Sequence, residues 1–177
     1  FTLHRRMLAL IDAETDAASR GQEAWIVGKM NSLTDPALIQ ALYRASQAGV
    51  KITFIIRGVC RLRPGIPGVS ENIEVRSVVG RFLEHSRILR CCAGGKEAVY
   101  CSSADWMERN MFRRVETCFP VVDEDCRARV AAEGLEVYLR DDSNAWVLQR
   151  DGVYHRREPV EAEPFSAQHH LMEALGR

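Results

Sequence analysis

Two stretches, Ala24-Trp25-Ile26-Val27-Gly28 and Val50-Lys51-Ile52-Thr53-Phe54-Ile55-Ile56, decide the fold. Each is short, apolar on both faces and rich in β-branched residues, the pattern of a strand covered on two sides. Between them, Asp35-Pro36 opens a helix, with the aspartate as cap and the proline in the first turn. Leu38, Ile39, Leu42, Tyr43 and Ala45 give that helix its buried face until Gly49. Strand, helix and strand in so short a span predict a right-handed crossover between parallel strands. Ligands of such sheets bind beyond the carboxyl ends of the strands. The sequence puts Lys29 and Asn31 just past the first strand and Arg57 at the end of the second.

Working outward, residues 3 to 20 carry apolar side chains at helical spacing and stop at Gly21. A loop with Pro64, Gly65, Pro67 and Gly68 follows the second strand and borders the expected site. Ile73 to Val79 reads as a strand, and Arg87 to Cys92 and Ala98 to Cys101 flank Gly94-Gly95-Lys96 as a hairpin. Arg113 to Val121 reads as a further strand holding Arg114 and Glu116, and residues 124 to 140 as a helical segment. Residues 145 to 177 read as a small C-terminal hairpin and helix.

Lys and Arg total 24, as do Asp and Glu, so overall charge recruits neither nucleic acid nor an acidic membrane. Any anion site is therefore local. No apolar run reaches the roughly 20 residues of a membrane span, and the pattern is that of a soluble protein. The six cysteines have no metal-site spacing, and Cys91, Cys92, Cys101 and Cys118, in apolar strand-like runs, read as packed free thiols of a reducing compartment. Phe1 leads straight into the first helical pattern, as expected of a piece of a longer chain.

One stretch carries chemistry: Gly80-Arg81-Phe82-Leu83-Glu84-His85-Ser86-Arg87. It sets a histidine, able to move a proton near neutral pH, between two arginines whose forks suit phosphate oxygens. A surface histidine among charges is the plainer alternative.

Taken in order, Gly28 to Pro36, Ile55-Ile56-Arg57-Gly58, Arg63 to Gly68, Ser70 to Ile73, Gly80 to Arg87, Ser102 to Met107 and Arg109-Asn110 resemble the C-terminal catalytic domain of polyphosphate kinase, of the phospholipase D-like superfamily. The resemblance implies an α/β fold, a phospholipase D-like mixed β-sheet flanked by helices, in a single domain over residues 1 to 177. It implies reversible transfer of the terminal phosphate of ATP to inorganic polyphosphate, through a phosphohistidine and with magnesium. Implied partners are ATP, ADP, polyphosphate and the remainder of a homo-oligomeric polypeptide in the cytoplasm, with membrane association left open and no nucleic acid. His85 matches a nucleotide-phosphate contact and proposed general acid, and Arg57 a nucleotide contact. Lys29, Asn31 and Arg87 are further phosphate-binding candidates. Glu116 and Asp105 are supporting residues that would orient imidazole or arginine; a turn role for Asp105 and a solvated strand position for Glu116 are the alternatives.

The departures are as informative. Phospholipase D-like enzymes use two His-x-Lys motifs, whereas this chain has one and places Arg87 at the lysine. The phosphorylated histidine and the magnesium-associated arginines of the family belong to the preceding domain, which nothing here matches, so the chain alone is expected to be inactive and to carry no metal ligands. A phosphodiesterase or nuclease completed by homodimerisation, and a noncatalytic nucleotide- or polyphosphate-binding module, are the alternative readings.

Overall fold

The computed structural model describes residues 2–160 and 162–176. The first helix, α1 (Thr2–Ser19), is followed by strand β1 (Ala24–Met30), helix α2 (Pro36–Gln47) and strand β2 (Lys51–Ile56). β1 and β2 pair in parallel from Trp25–Lys51 to Met30–Ile56, with α2 as the crossover. The Asp35 carboxylate caps α2 by accepting from the Leu38 amide at 2.9 Å. Gly49 ends the turn after α2 at φ +99°, a backbone state that suits glycine.

Strand β3 (Ile73–Val78) adds in parallel to β2. Strands β4 (Ile88–Ala93) and β5 (Lys96–Ser102) form the expected hairpin, joined by Gly94 and Gly95 at φ +61° and +79°. Both central residues of such a two-residue turn need positive φ. β4 returns to lie antiparallel on the open side of β1. Helix α3 (Glu108–Phe112), strand β6 (Cys118–Pro120), helix α4 (Glu124–Ala131), a π-helical turn at Ala132–Glu136 and helix α5 (Val137–Arg140) come next. Strands β7 (Ala145–Leu148) and β8 (Tyr154–Arg156) and helix α6 (Ala167–Leu175) complete the chain. The result is one eight-stranded mixed sheet in the order β6-β5-β4-β1-β2-β3-β7-β8. The C-terminal hairpin prolongs this sheet through antiparallel β3–β7 pairing.

Two expectations need correction. β1 runs through Met30, so Lys29 lies within the strand and is buried. The strand read over 113 to 121 shrinks to Cys118–Pro120. Arg113, Arg114 and Val115 are exposed, and Glu116 is drawn instead to Asn110 and Ser103.

Helices α1 and α2 cover one face of the sheet, where Met7, Ile11, Leu38 and Leu42 meet Ile26, Ile52 and Phe54. Phe54 lies over the bare Gly28, where an added Cβ would come within 2.5 Å of its ring, and meets Trp106 edge-on at 5.7 Å. On the opposite face, Leu135 of the π turn packs with Ile88 and Val99, while Val137, Tyr138 and Ala167 pack on Ile55 and Val78. Gly134 permits this approach, because a Cβ there would stand 2.3 Å from the Ile88 side chain. Both faces of the central strands are thus covered, as their largely apolar composition requires.

Glu14 of α1 is buried and accepts from the Trp25 amide at 3.2 Å. Burial raises its pKa from the ordinary 4.5 to about 7, against the opposing hydrogen bonds of Trp25 and Cys91. The folded state therefore holds this proton more tightly than the unfolded chain, so stability falls as pH rises between about 4.5 and 7. Chemical denaturation should show Glu14 removing about 3 kcal/mol across that window, at ~1.4 kcal/mol per pH unit. Glu14→Gln is expected to be nearly flat there and more stable than wild type at pH 8.

Candidate active site

The site lies at the carboxyl edge of β1 and β2, where the loop over residues 79 to 87 and the loop over 103 to 117 converge. Asp105 is its anchor. Its buried carboxylate accepts from the Asn31 amide at 2.8 Å and the Ser32 amide at 3.3 Å, just where β1 ends. It also takes the Arg87 fork, Nε to Oδ1 and Nη2 to Oδ2, each at 3.1 Å. Burial works to raise the Asp105 pKa, but Arg87 and the two amides outweigh it and hold the carboxyl below the usual carboxylate range. This contribution to stability is complete above the ordinary 3.8 and is lost as pH falls further, through the lowered folded value.

Arg87 passes the order on to His85. Its Nη1 donates to the His85 carbonyl at 2.9 Å and faces His85 Nδ1 at 3.2 Å. Because guanidinium only donates, Nδ1 is assigned as an acceptor and the proton of the neutral ring as lying on Nε2. His85 itself is exposed. Arg57, half-buried, donates from Nε to the Glu84 carbonyl at 3.0 Å and from Nη2 to Asn31 Oδ1 at 3.1 Å. Its Nη1 makes no hydrogen bond among the described residues. Arg57, Asn31, Asp105, Arg87 and His85 are therefore one connected set.

Lys29 enters the set from beneath. Its ammonium is 2.6 Å from Glu84 Oε2 and 3.2 Å above the Tyr138 ring centroid, with the lysine only 3% exposed. Burial lowers its pKa and the Glu84 carboxylate opposes that shift. The same surroundings raise the Tyr138 phenol, first through burial and then through Glu84. Lys29 is thus a bound counterion rather than an open cation. Among the described residues, Glu116 bonds neither imidazole nor arginine: it accepts from Ser103 Oγ and, at 2.6 Å, from Asn110 Nδ2. It braces the loop that carries Asp105.

Glu84, Tyr138 and Gln168 are the members that reading the sequence overlooked. Glu84 had a signal, being the one acid inside a basic motif, while Tyr138 and Gln168 reach the site only through the tertiary fold. Among the described residues, no group of three or more His, Cys, Asp or Glu side chains is placed to hold a metal ion. The carboxylates of Glu84, Asp105 and Glu116 are already engaged by protein donors, so the residues present do not fit a magnesium site.

This architecture has counterparts. Residues 1–168 match the family model for polyphosphate kinase C-terminal domain 2. The chain belongs to the polyphosphate kinase C-terminal domain 2 family. A polyphosphate kinase of Burkholderia vietnamiensis is 60% identical over 157 residues, covering 89% of this chain and 23% of that protein. The crystal structure of polyphosphate kinase from Porphyromonas gingivalis superimposes with a TM-score of 0.93 at 39% identity, covering 99% of this chain and 27% of that one. The chain thus spans about a quarter of the length of these polyphosphate kinases. A phospholipase D family member, Nuc from Salmonella typhimurium, shares the fold with a TM-score of 0.52 at 17% identity, covering 74% of this chain and 82% of its own. The fold is therefore the phospholipase D-like mixed sheet flanked by helices. No helix among the described residues is long and apolar enough to cross a membrane.

The buried Lys29–Glu84 pair makes a specific demand on stability. Removing one partner strands a charge in a site closed to water, at a cost of about 3–5 kcal/mol. Denaturant unfolding should show that loss for Glu84→Ala. The double variant Lys29→Met, Glu84→Leu is expected to lose less than Glu84→Ala alone.

Proposed function

We propose that this domain supplies the nucleotide- and polyphosphate-handling half of a polyphosphate kinase site, for reversible transfer of the terminal phosphate of ATP to inorganic polyphosphate. The observation that carries this reading is the hydrogen-bonded set that ends in an exposed imidazole and a guanidinium with one free edge. Phosphoryl transfer asks mainly for positioning and for charge placed where the equatorial oxygens develop it. Arg57 would offer Nη1 to a phosphate oxygen while its Nε and Nη2 stay fixed on Glu84 and Asn31. His85, with Nδ1 held by Arg87, would present Nε2–H as a hydrogen-bond donor to the oxygen that gains charge. Arg87 would act through His85, because its fork is committed to Asp105. Lys29 would contribute by fixing Glu84 rather than by touching phosphate, and Asn31 by orienting Arg57.

The phosphohistidine and the magnesium ligands would then come from the rest of the polypeptide. Cytoplasmic location and homo-oligomeric assembly of the whole enzyme belong to the same reading. By itself the 177-residue chain should bind phosphates and fail to extend polyphosphate.

Calorimetric titration with a nonhydrolysable ATP analogue and with tripolyphosphate tests this. Each of Arg57→Ala and His85→Ala should weaken binding by roughly tenfold or more, the loss of about 1.5–3 kcal/mol expected for a hydrogen bond to a charged group. The Arg57 effect should be larger at low salt than at high salt. Affinity unchanged in both variants, or polyphosphate synthesis by the chain alone, would refute the assignment.

A further inference from the structure

The loop over residues 79 to 87 carries Glu84, His85 and Arg87, yet it contains no helix or strand. Arg87 ties its end, and Arg57 and Lys29 hold Glu84 from the sheet, which leaves the turn at Phe82 in need of a separate restraint.

Gln168 of α6 provides one. Its side-chain carbonyl accepts from the Phe82 amide at 2.9 Å, and its Nε2 donates both to the Phe82 carbonyl at 2.9 Å and to Glu84 Oε1 at 2.6 Å. One primary amide thereby reads both backbone groups of Phe82, as a neighbouring strand would, and also holds the carboxylate that pairs with Lys29. Gln168 is 6% exposed. Gly80 belongs to the same fit, since a Cβ there would come 2.6 Å from Gln168 Oε1.

The clamp is itself rigidly mounted. The Ala167 amide donates to the fully buried Asp141 at 2.8 Å, and the Phe165 amide to Asp142 at 2.6 Å. Ser166 caps α6, and Ala167 is buried against Ile55, Val78 and Ala145. The first turn of α6 is therefore built into the domain, and the Gln168 amide faces the His85 loop from a fixed base.

We propose that Gln168 is a positioning residue for His85: its amide replaces the missing strand partner of the 79-to-87 loop and sets where the imidazole stands for phosphate. The proposal rests on the phosphate-handling reading above for its consequence, but the restraint on the loop is measurable without any phosphate. A displacement of about 1 Å at a reacting group is enough to cost on the order of a hundredfold, so a loosened loop should be felt at the site.

The test compares Gln168→Ala and the near-isosteric Gln168→Met with wild type and with a control, His169→Ala, whose side chain is exposed and pairs with Glu173. Amide hydrogen exchange at Phe82 should accelerate about tenfold or more in both Gln168 variants, the consequence of losing its acceptor. Nitrogen-15 NMR of the His85 ring should show the Nδ1-acceptor tautomer giving way to a mixture. Tripolyphosphate affinity should fall roughly tenfold, with the control unchanged and α1 and β1 amides still protected. Unaltered Phe82 exchange in both variants would overturn the clamp. Accelerated exchange with an unchanged His85 ring spectrum would overturn the positioning role. Wild-type chain that fails to bind tripolyphosphate would instead defeat the phosphate reading, leaving exchange and the ring spectrum to decide the clamp.

Discussion

The Asp105 carboxylate is the contact on which the site depends. It draws together three segments that the chain brings from separate places: the end of β1 through two amides, the start of β4 through Arg87, and its own loop after β5. A buried carboxylate is costly unless its lone pairs are satisfied, and here four N–H groups satisfy them. The arrangement turns that cost into position. Arg87 cannot turn away without leaving Asp105 uncompensated, and His85 inherits its setting from Arg87.

The central architecture was legible because it rests on patterns that a short window contains. Largely apolar runs at 24–28 and 50–56, the Asp35-Pro36 entry and the Gly94-Gly95 turn each act locally, and the parallel crossover follows from them. The stretch at 113–117 misled because β-branched and apolar residues there are exposed in a loop braced by Glu116, a role that only its tertiary partners reveal. Lys29 misled for a related reason. A lysine at a strand end normally means solvent, and only the arrival of Glu84 and Tyr138 from distant segments allows it to be buried. Arg57, Asn31, Asp105, Arg87 and His85 could be gathered from motif order, but their division of labour could not. Which of them touch one another is a property of the loops.

The site spends most of its charged groups on each other. Lys29 with Glu84 and Arg87 with Asp105 are internal pairs, and what they leave exposed is one imidazole and one edge of Arg57. Such preorganisation places the cost of fixing charge in the folding of the protein rather than in the encounter with substrate. It also suits the proposed role of a half-site, which must hold its geometry whether or not the other half is engaged.

The strand order has a consequence for how this geometry comes into being. β1 must pair with β4 across more than fifty intervening residues, and β3 with β7 across a comparable interval. Long closures of this kind give slow folding, typically milliseconds to seconds, because loop entropy is lost before the contacts form. His85 sits directly before β4, and the helix that steadies its loop follows β7. During folding, therefore, the local crossover of β1, α2 and β2 can assemble early while the imidazole has no defined place. A chain interrupted before α6 would keep the residues that fix Arg57 and Arg87 but lack the Gln168 contacts that hold Phe82 and Glu84 ahead of His85.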